Sequence, residues 1–248
     1  MTFADKVALV TGAGSGIGQA TCLDFAQAGA NLVFVDWNPD GLSETADLLG
    51  ETGCEYLALL GDVSQRDDVK RVVSQAISRF GRIDILVNNA AIIAPGGVLD
   101  VSEQDADAMM DVNYKGVFLF CREVLPHMIA QGGGRIVNVS SMAAARGLRQ
   151  RAVYCASKAA VSMLTRAMAL DHVDDGVNIN AVCPGSVETG LTKATFADPA
   201  LRAEKVRSIP CGRFAQPEEI SRVICFLASE AASYITGTEV FVDGGLTA

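Results

Sequence analysis

The apolar run Lys6-Val-Ala-Leu-Val-Thr11, followed at once by Gly12-Ala-Gly-Ser-Gly-Ile-Gly18, leaves this chain few ways to begin folding. Short and β-branched, the run reads as a buried strand. Four glycines within the next seven residues make a tight turn, and a helix is predicted from about Ile17 to Ala28, stopping at Gly29. Ile17, Ala20, Leu23 and Phe25 are expected to face inward. A glycine turn between a buried strand and a helix N-terminus is a phosphate-binding device: backbone N–H groups and the helix dipole face the anion, and absent side chains let it approach. The competing reading is a plain tight turn with no ligand.

The second strand, Asn31 to Asp36, ends in a carboxylate about twenty residues beyond the glycines. An acid there accepts hydrogen bonds from an adenosine ribose and repels a 2′-phosphate. Neither neighbour is basic, since Ser15 lies inside the glycine loop and Trp37 follows the acid. NAD is therefore expected over NADP. Asp36 also reads as a strand-end cap, and Trp37 as surface packing rather than an adenine contact.

The alternation continues. Strands are predicted at 55–60, ending at Gly61-Asp62-Val63, at 83–87, capped by Asn88-Asn89-Ala90-Ala91, at 135–140, at 177–183, ending at Pro184-Gly185, and at 239–243. Helices are predicted at 65–80, at 103–129 as one long element containing Asn113, after the stretch 141–158, and at 217–229; the segment 186–216 reads as irregular. This pattern predicts a single domain over 1–248: a Rossmann-type, doubly wound parallel α/β sheet of about seven strands with helices on both faces. Ligands on such sheets bind beyond the strand C-terminal ends, where the singled-out residues fall.

A formal net charge of −9 argues against a nucleic-acid partner, which needs concentrated Lys and Arg. Half of the residues are hydrophobic, enough for a broad aliphatic core. No apolar run reaches membrane-spanning length, and the start lacks the basic-then-apolar order of a leader, so a cytoplasmic protein with no membrane partner is expected. Seven scattered cysteines read as reduced thiols, several of them core fillers, and the two histidines stand apart from them, so no metal site is expected. Met109, Met110, Met163 and Met168 occupy core-like positions.

Tyr154 and Lys158 open an alanine-rich run and, on a helix, share one face. A cation beside a phenol stabilises the phenolate and lowers its pKa, making tyrosine a usable general acid/base. Taken with Thr11-Gly12-x-x-x-Gly16-x-Gly18, Asp62-Val63, Asn88-Asn89-Ala90, Asn113, Ser141, Pro184-Gly185 and Asp243-Gly244-Gly245, the pair completes an ordered series over nearly the whole chain. In that order and spacing the chain resembles the short-chain dehydrogenase/reductase family, in its unextended branch.

The resemblance implies an oxidoreductase exchanging hydride between a nicotinamide and a secondary alcohol or ketone. Tyr154 would be the acid/base, Lys158 would lower its pKa and bond the nicotinamide ribose, Ser141 would bind the substrate oxygen, and Asn113 would hold a relay water. Ser140, adjacent, reads as a strand-end hydrogen bonder. Gly12, Ser15, Gly16, Ile17 and Gly18 would surround the pyrophosphate, Asp36 and Trp37 the adenosine, and Asp62 and Val63 the adenine. Asn88, Ala90, Pro184, Gly185, Val187 and Thr189 would complete the cofactor site. Ala91 departs from the glycine usual in the family and slightly crowds that approach. A homotetramer is implied, with the long helix and the Lys158 helix making one interface.

The expected substrate is a small polar secondary alcohol or ketone: a polyol, sugar derivative or hydroxy acid. Arg146, Arg149 and Arg151 crowd the stretch before Tyr154, and Arg151 is the candidate partner for an anionic substrate. Solvated or interface arginines are the alternative. A 3-oxoacyl-type ketoreductase and a non-catalytic dinucleotide-binding module are the rival functions.

Overall fold

The computed structural model describes residues 1–50 and 52–248. Its seven strands are β1 (Val7–Thr11), β2 (Asn31–Asp36), β3 (Tyr56–Leu60), β4 (Ile85–Asn88), β5 (Gly134–Val139), β6 (Val177–Pro184) and β7 (Glu239–Val242). They form one parallel sheet in the order β3-β2-β1-β4-β5-β6-β7. Successive side chains of a strand point to opposite faces, so a doubly covered strand must be apolar at every position. β1 meets that demand: Ala8 and Val10 join one core, Val7 and Leu9 the other.

On the first face the strands pack against α1 (Gly16–Gln27), α2 (Pro39–Leu49) and α9 (Pro217–Ala228) through Cys22, Phe25, Leu42, Ile220 and Ile224. On the second they meet α3 (Arg66–Phe80), α5 (Gly116–Ala130) and α6 (Ala152–Asp171) through Val72, Phe120, Val124, Val161 and Met168. The chain winds outward from β1 to β3, then returns to lay β4 against the other side of β1. This reversal opens a crevice at the strand C-terminal ends, as the doubly wound architecture requires.

Four details differ from the sequence-based expectation. A helix unread from the pattern, α2, follows β2; Asn38 caps it by accepting the Asp40 and Gly41 amides, and Pro39 opens it. The expected single helix over 103–129 is α4 (Glu103–Met110), a π-helical turn (Asp111–Lys115) and α5. The segment expected to be irregular contains α7 (Gly190–Thr195) and α8 (Pro199–Ser208), each with a side-chain N-cap, Thr189 and Asp198. No residue of α8 is fully buried, so it carries no apolar stripe to read. Met109 and Met168 are core residues, whereas Met163 is 60% exposed. Cys22, Cys121, Cys183 and Cys225 are buried, and all seven cysteines are free thiols.

Candidate active site

A cleft of about 800 Å³ lies over the crevice. At one end Ser15 precedes α1 in extended conformation but makes no side-chain cap, leaving first-turn N–H groups beside a cleft wall of Ser15, Gly16 and Ile17. Gly16 adopts φ +56°, and a Cβ there would sit 2.9 Å from Thr189 Cγ2. Gly18 does not line the cleft: its hydrogen faces the Gly12 carbonyl, which a Cβ would approach to 2.1 Å. Gly18 thus sets the closeness of α1 to the turn.

Asp36 is buried at the end of β2 and lines the cleft. Its Oδ2 accepts the Gly14 amide (2.8 Å) and its Oδ1 the Asn38 amide (2.9 Å), which fixes the carboxylate while leaving lone pairs for a hydroxyl ligand. Trp37, at the margin, is 77% exposed. Asp62 and Val63 line the wall beyond, and Asp62 Oδ1 also caps its own turn by accepting the Ser64 amide and hydroxyl.

Asn88 is brought elsewhere. Its side chain lies outside the cleft lining, donating to Asn138 Oδ1 (2.8 Å) and Cys121 Sγ (3.4 Å). The next residue, Asn89, lines the cleft and was not singled out from sequence. Its Nδ2 donates to the carbonyls of Thr11 (3.0 Å) and Gly12 (2.9 Å), tying the end of β4 to the glycine turn. Ala90, Ala91, Pro184, Gly185, Val187 and Thr189 all border the cleft as expected.

Ser141, Tyr154 and Lys158 share the opposite end. Lys158 is buried; its Nζ donates to the Val139 carbonyl (2.9 Å) and lies 6.0 Å from the Tyr154 ring centre. Burial pushes the ammonium down to about 8, with the Cys183 thiol acting the other way. The tyrosine departs from the simple expectation. Its pKa is raised, because desolvation of the phenolate outweighs hydrogen bonding with Ser141 and the positive charge of Arg151.

Asn113 sits in the π-helical turn, fully buried and outside the cleft lining. Its Oδ1 accepts the Ile92 amide (2.8 Å), and its Nδ2 donates to the Ile92 carbonyl (3.0 Å) and Ser157 Oγ (3.0 Å). The side chain therefore braces α6 beside Lys158. Arg151 does not line the cleft either; its Nη1 donates to the Gln150 carbonyl (2.6 Å). Among the described residues no cluster of His, Cys, Asp and Glu is arranged to hold a metal, and no helix is long and apolar enough to cross a membrane.

Behind Lys158 runs a polar chain invisible in the sequence. Ser140 Oγ donates to the Lys158 carbonyl (3.0 Å) and lies 2.9 Å from Ser162 Oγ. Ser162 donates to Glu239 Oε2 (3.1 Å), and Glu239 Oε1 pairs with Arg166 Nη2 (2.5 Å). The arrangement as a whole fits an elongated dinucleotide: unpaired amides for phosphate at one end, a fixed carboxylate for ribose, and a half-buried phenol with a buried ammonium at the other.

A family model described as Enoyl-(Acyl carrier protein) reductase matches residues 12–247. The 3-oxoacyl-[acyl-carrier-protein] reductase FabG of Thermotoga maritima is 42% identical, with 99% of each chain covered. Meso-2,3-butanediol dehydrogenase of Serratia marcescens is 40% identical, covering 100% of this chain and 97% of its own. Among solved structures, a candidate NAD(P)-dependent gluconate 5-dehydrogenase from Beutenbergia cavernae, with NADP bound at low occupancy, superposes with a TM-score of 0.93. It is 40% identical and covers 99% of this chain and 98% of its own.

Proposed function

We propose that this chain, which belongs to the short-chain dehydrogenase/reductase family and is an oxidoreductase of alcohols and ketones, is an NAD-dependent dehydrogenase of a small polar secondary alcohol. The carrying observation is one cleft that holds Ser141, Tyr154 and Lys158 at one end and Asp36 at the other. The substrate is a polyol, a sugar derivative or a hydroxy acid, a range supported by the names of the butanediol and gluconate relatives.

When bound, the nicotinamide supplies the hydride acceptor. Tyr154 Oη takes the alcohol proton in the oxidative direction and returns it in the reductive one. Ser141 Oγ hydrogen-bonds the reacting oxygen. Lys158 holds nicotinamide ribose hydroxyls, and its positive charge favours the phenolate. Asp36 receives the adenosine ribose, and its negative charge at a position without basic neighbours supports NAD. The amides at Gly16 and Ile17 receive the pyrophosphate. The protein works as a cytoplasmic homotetramer.

A 3-oxoacyl reductase is the second reading, supported by the FabG relative and the family-model description. Initial rates followed by NADH and NADPH absorbance, with 2,3-butanediol, gluconate and a 3-oxoacyl thioester at equal cofactor concentrations, separate the two. NAD-linked oxidation of a diol or sugar acid is expected; NADPH-linked thioester reduction as the main activity would overturn the proposal. Tyr154→Phe should lower kcat by about 10²- to 10⁴-fold while NADH still binds.

A further inference from the structure

None of Asp243, Gly244 and Gly245 lines the cleft, yet the three form a closed turn behind its wall. Asp243 Oδ1 accepts the Gly245 amide (3.0 Å) and Oδ2 the Thr247 hydroxyl (2.6 Å), so one carboxylate closes the turn from both oxygens. Gly244 and Gly245 sit at φ +64° and +88°, a backbone region that side chains resist. The turn is also held from outside. A Cβ on the cleft-lining Gly185 would lie 2.7 Å from Asp243 Cα, and one on Gly245 would lie 3.2 Å from the Pro210 ring. The Gly244 carbonyl accepts the Cys211 amide (3.1 Å).

This turn presents Leu246. Its side chain is buried with Met142, Ile209 and Phe214 in a small apolar cluster separate from the two sheet cores, and Leu148 and Val206 pack against that cluster. Its carbonyl accepts Nη1 of Arg146. Met142, Arg146 and Leu148 all belong to the stretch between Ser141 and Tyr154. That stretch begins with a 3-10 turn, Met142–Ala144, which Ser141 caps through Oγ by accepting the Ala143 amide (3.1 Å). The Met142 carbonyl in turn accepts the Ala145 (3.1 Å) and Arg146 (3.2 Å) amides. Met142 therefore cannot shift without carrying Ser141 Oγ along. In a close-packed cluster a side chain has little room to move, and a cavity beside it removes that restraint.

We propose that Leu246 is a positioning residue for proton transfer: held by the Asp243 turn, it seats Met142 and Arg146 and thereby fixes Ser141 Oγ beside Tyr154. This rests on the dehydrogenase reading and adds to it a residue outside the cleft. Leu246 lines no part of the cleft that receives the cofactor, so it acts through Ser141. Its loss is felt in kcat and in the pH dependence of turnover, not in cofactor binding.

The test uses the purified full chain with 2,3-butanediol and gluconate, at a temperature where circular dichroism shows every variant folded. Leu246→Ala should lower kcat by about 10- to 100-fold, the scale of a misplaced reacting group, while NADH affinity in a fluorescence titration holds. Its kcat/KM should rise at higher pH than in the wild type, because the Ser141 hydrogen bond that works against the raised pKa of Tyr154 is loosened. Leu246→Met, close in volume, should restore both. Asp243→Ala keeps Leu246 but opens its turn; it should act like Leu246→Ala, and it carries the test if Leu246→Ala does not fold. Wild-type kcat and pH profile in either folded variant, a change in KM alone, or equal loss in Leu246→Met would overturn the proposal. If the wild type turns over neither alcohol, the dehydrogenase reading has failed and amide hydrogen exchange decides the seating separately. Faster exchange in Leu246→Ala confined to residues 142–146 would support it; unchanged or uniformly faster exchange would overturn it.

Discussion

Glu239 opens the edge strand β7, far in sequence from any catalytic residue, yet its replacement should be felt at Lys158. The carboxylate is nearly buried and accepts from Ser162 Oγ at 3.1 Å, while its other oxygen meets the half-exposed Arg166 at 2.5 Å. In Glu239→Val the Ser162 hydroxyl loses a charged acceptor, worth about 1.5–3 kcal/mol. Loss of a pair whose cation is largely solvated adds about 0.2–1 kcal/mol. Valine's preference for strands returns up to about 1 kcal/mol. The net loss of about 2 kcal/mol corresponds to a fall in Tm of about 4–8 °C for a chain of this size. Without Glu239, the Ser162 proton turns to Ser140 Oγ, the hydroxyl that bonds the Lys158 carbonyl, and the register of α6 against Ser141 loosens. Misplacement of reacting groups lowers kcat rather than raising KM, so kcat should fall several-fold with KM for cofactor held. Glu239→Gln keeps an acceptor for Ser162 and should restore kcat. Thermal melts with steady-state kinetics on both variants supply the check. A Glu239→Val protein with wild-type Tm and kcat, or equal kinetic damage in both variants, would refute the reasoning.

Lys158 gives a pH-dependent prediction. Its ammonium is lowered to about 8 in the fold against a free value of 10.5, so below pH 8 the native state holds a charge it disfavours, and the penalty fades as pH rises from 8 to 10.5. That penalty is on the order of 3 kcal/mol, offset by about 1 kcal/mol from the bond to the Val139 carbonyl. Lys158→Met should therefore melt higher than the ligand-free wild type at pH 7, with the gap closing toward pH 10; a lower melting point at pH 7 would show that burial is not the dominant influence. Gly18→Ala tests the glycine turn. Helix propensity favours alanine, but its Cβ would lie 2.1 Å from the Gly12 carbonyl oxygen, against backbone that has little freedom to yield. Overpacking should cost about 1–3 kcal/mol and weaken NADH binding in a fluorescence titration; unchanged Tm and affinity would mean that α1 moves away freely.

What was legible in the sequence was local. The strand, glycine turn and helix around Gly12–Gly18, and the Tyr154–Lys158 spacing, are fixed by residues within a turn or two of one another. What was not legible depends on contacts between distant segments. Ser162 meets Glu239 across 77 positions, and Arg146 meets the Leu246 carbonyl across 100. Asn88 and Asn89 are chemically identical neighbours, and only the point at which β4 ends decides which one turns into the sheet and which faces the cleft. Helix α8 is not legible because half of its ten residues are polar and none is fully buried, leaving its caps as the only signal. The raised pKa of Tyr154 could not be foreseen either, since spacing reports the nearness of a cation but says nothing of how dry the phenol is.

The π-helical turn at Asp111–Lys115 acts as a phase corrector. Met109 and Val117 are both core residues, eight positions apart. On an uninterrupted α-helix at about 100° per residue they would diverge by roughly 80°. One residue absorbed into the wider turn brings them back to within roughly 20°. Removing a single residue there would leave a more regular helix and a worse protein, because every apolar side chain from Val117 to Met128 would rotate off the sheet. Helical regularity and tertiary fit are here in direct competition, and Asn113 sits where the second prevails.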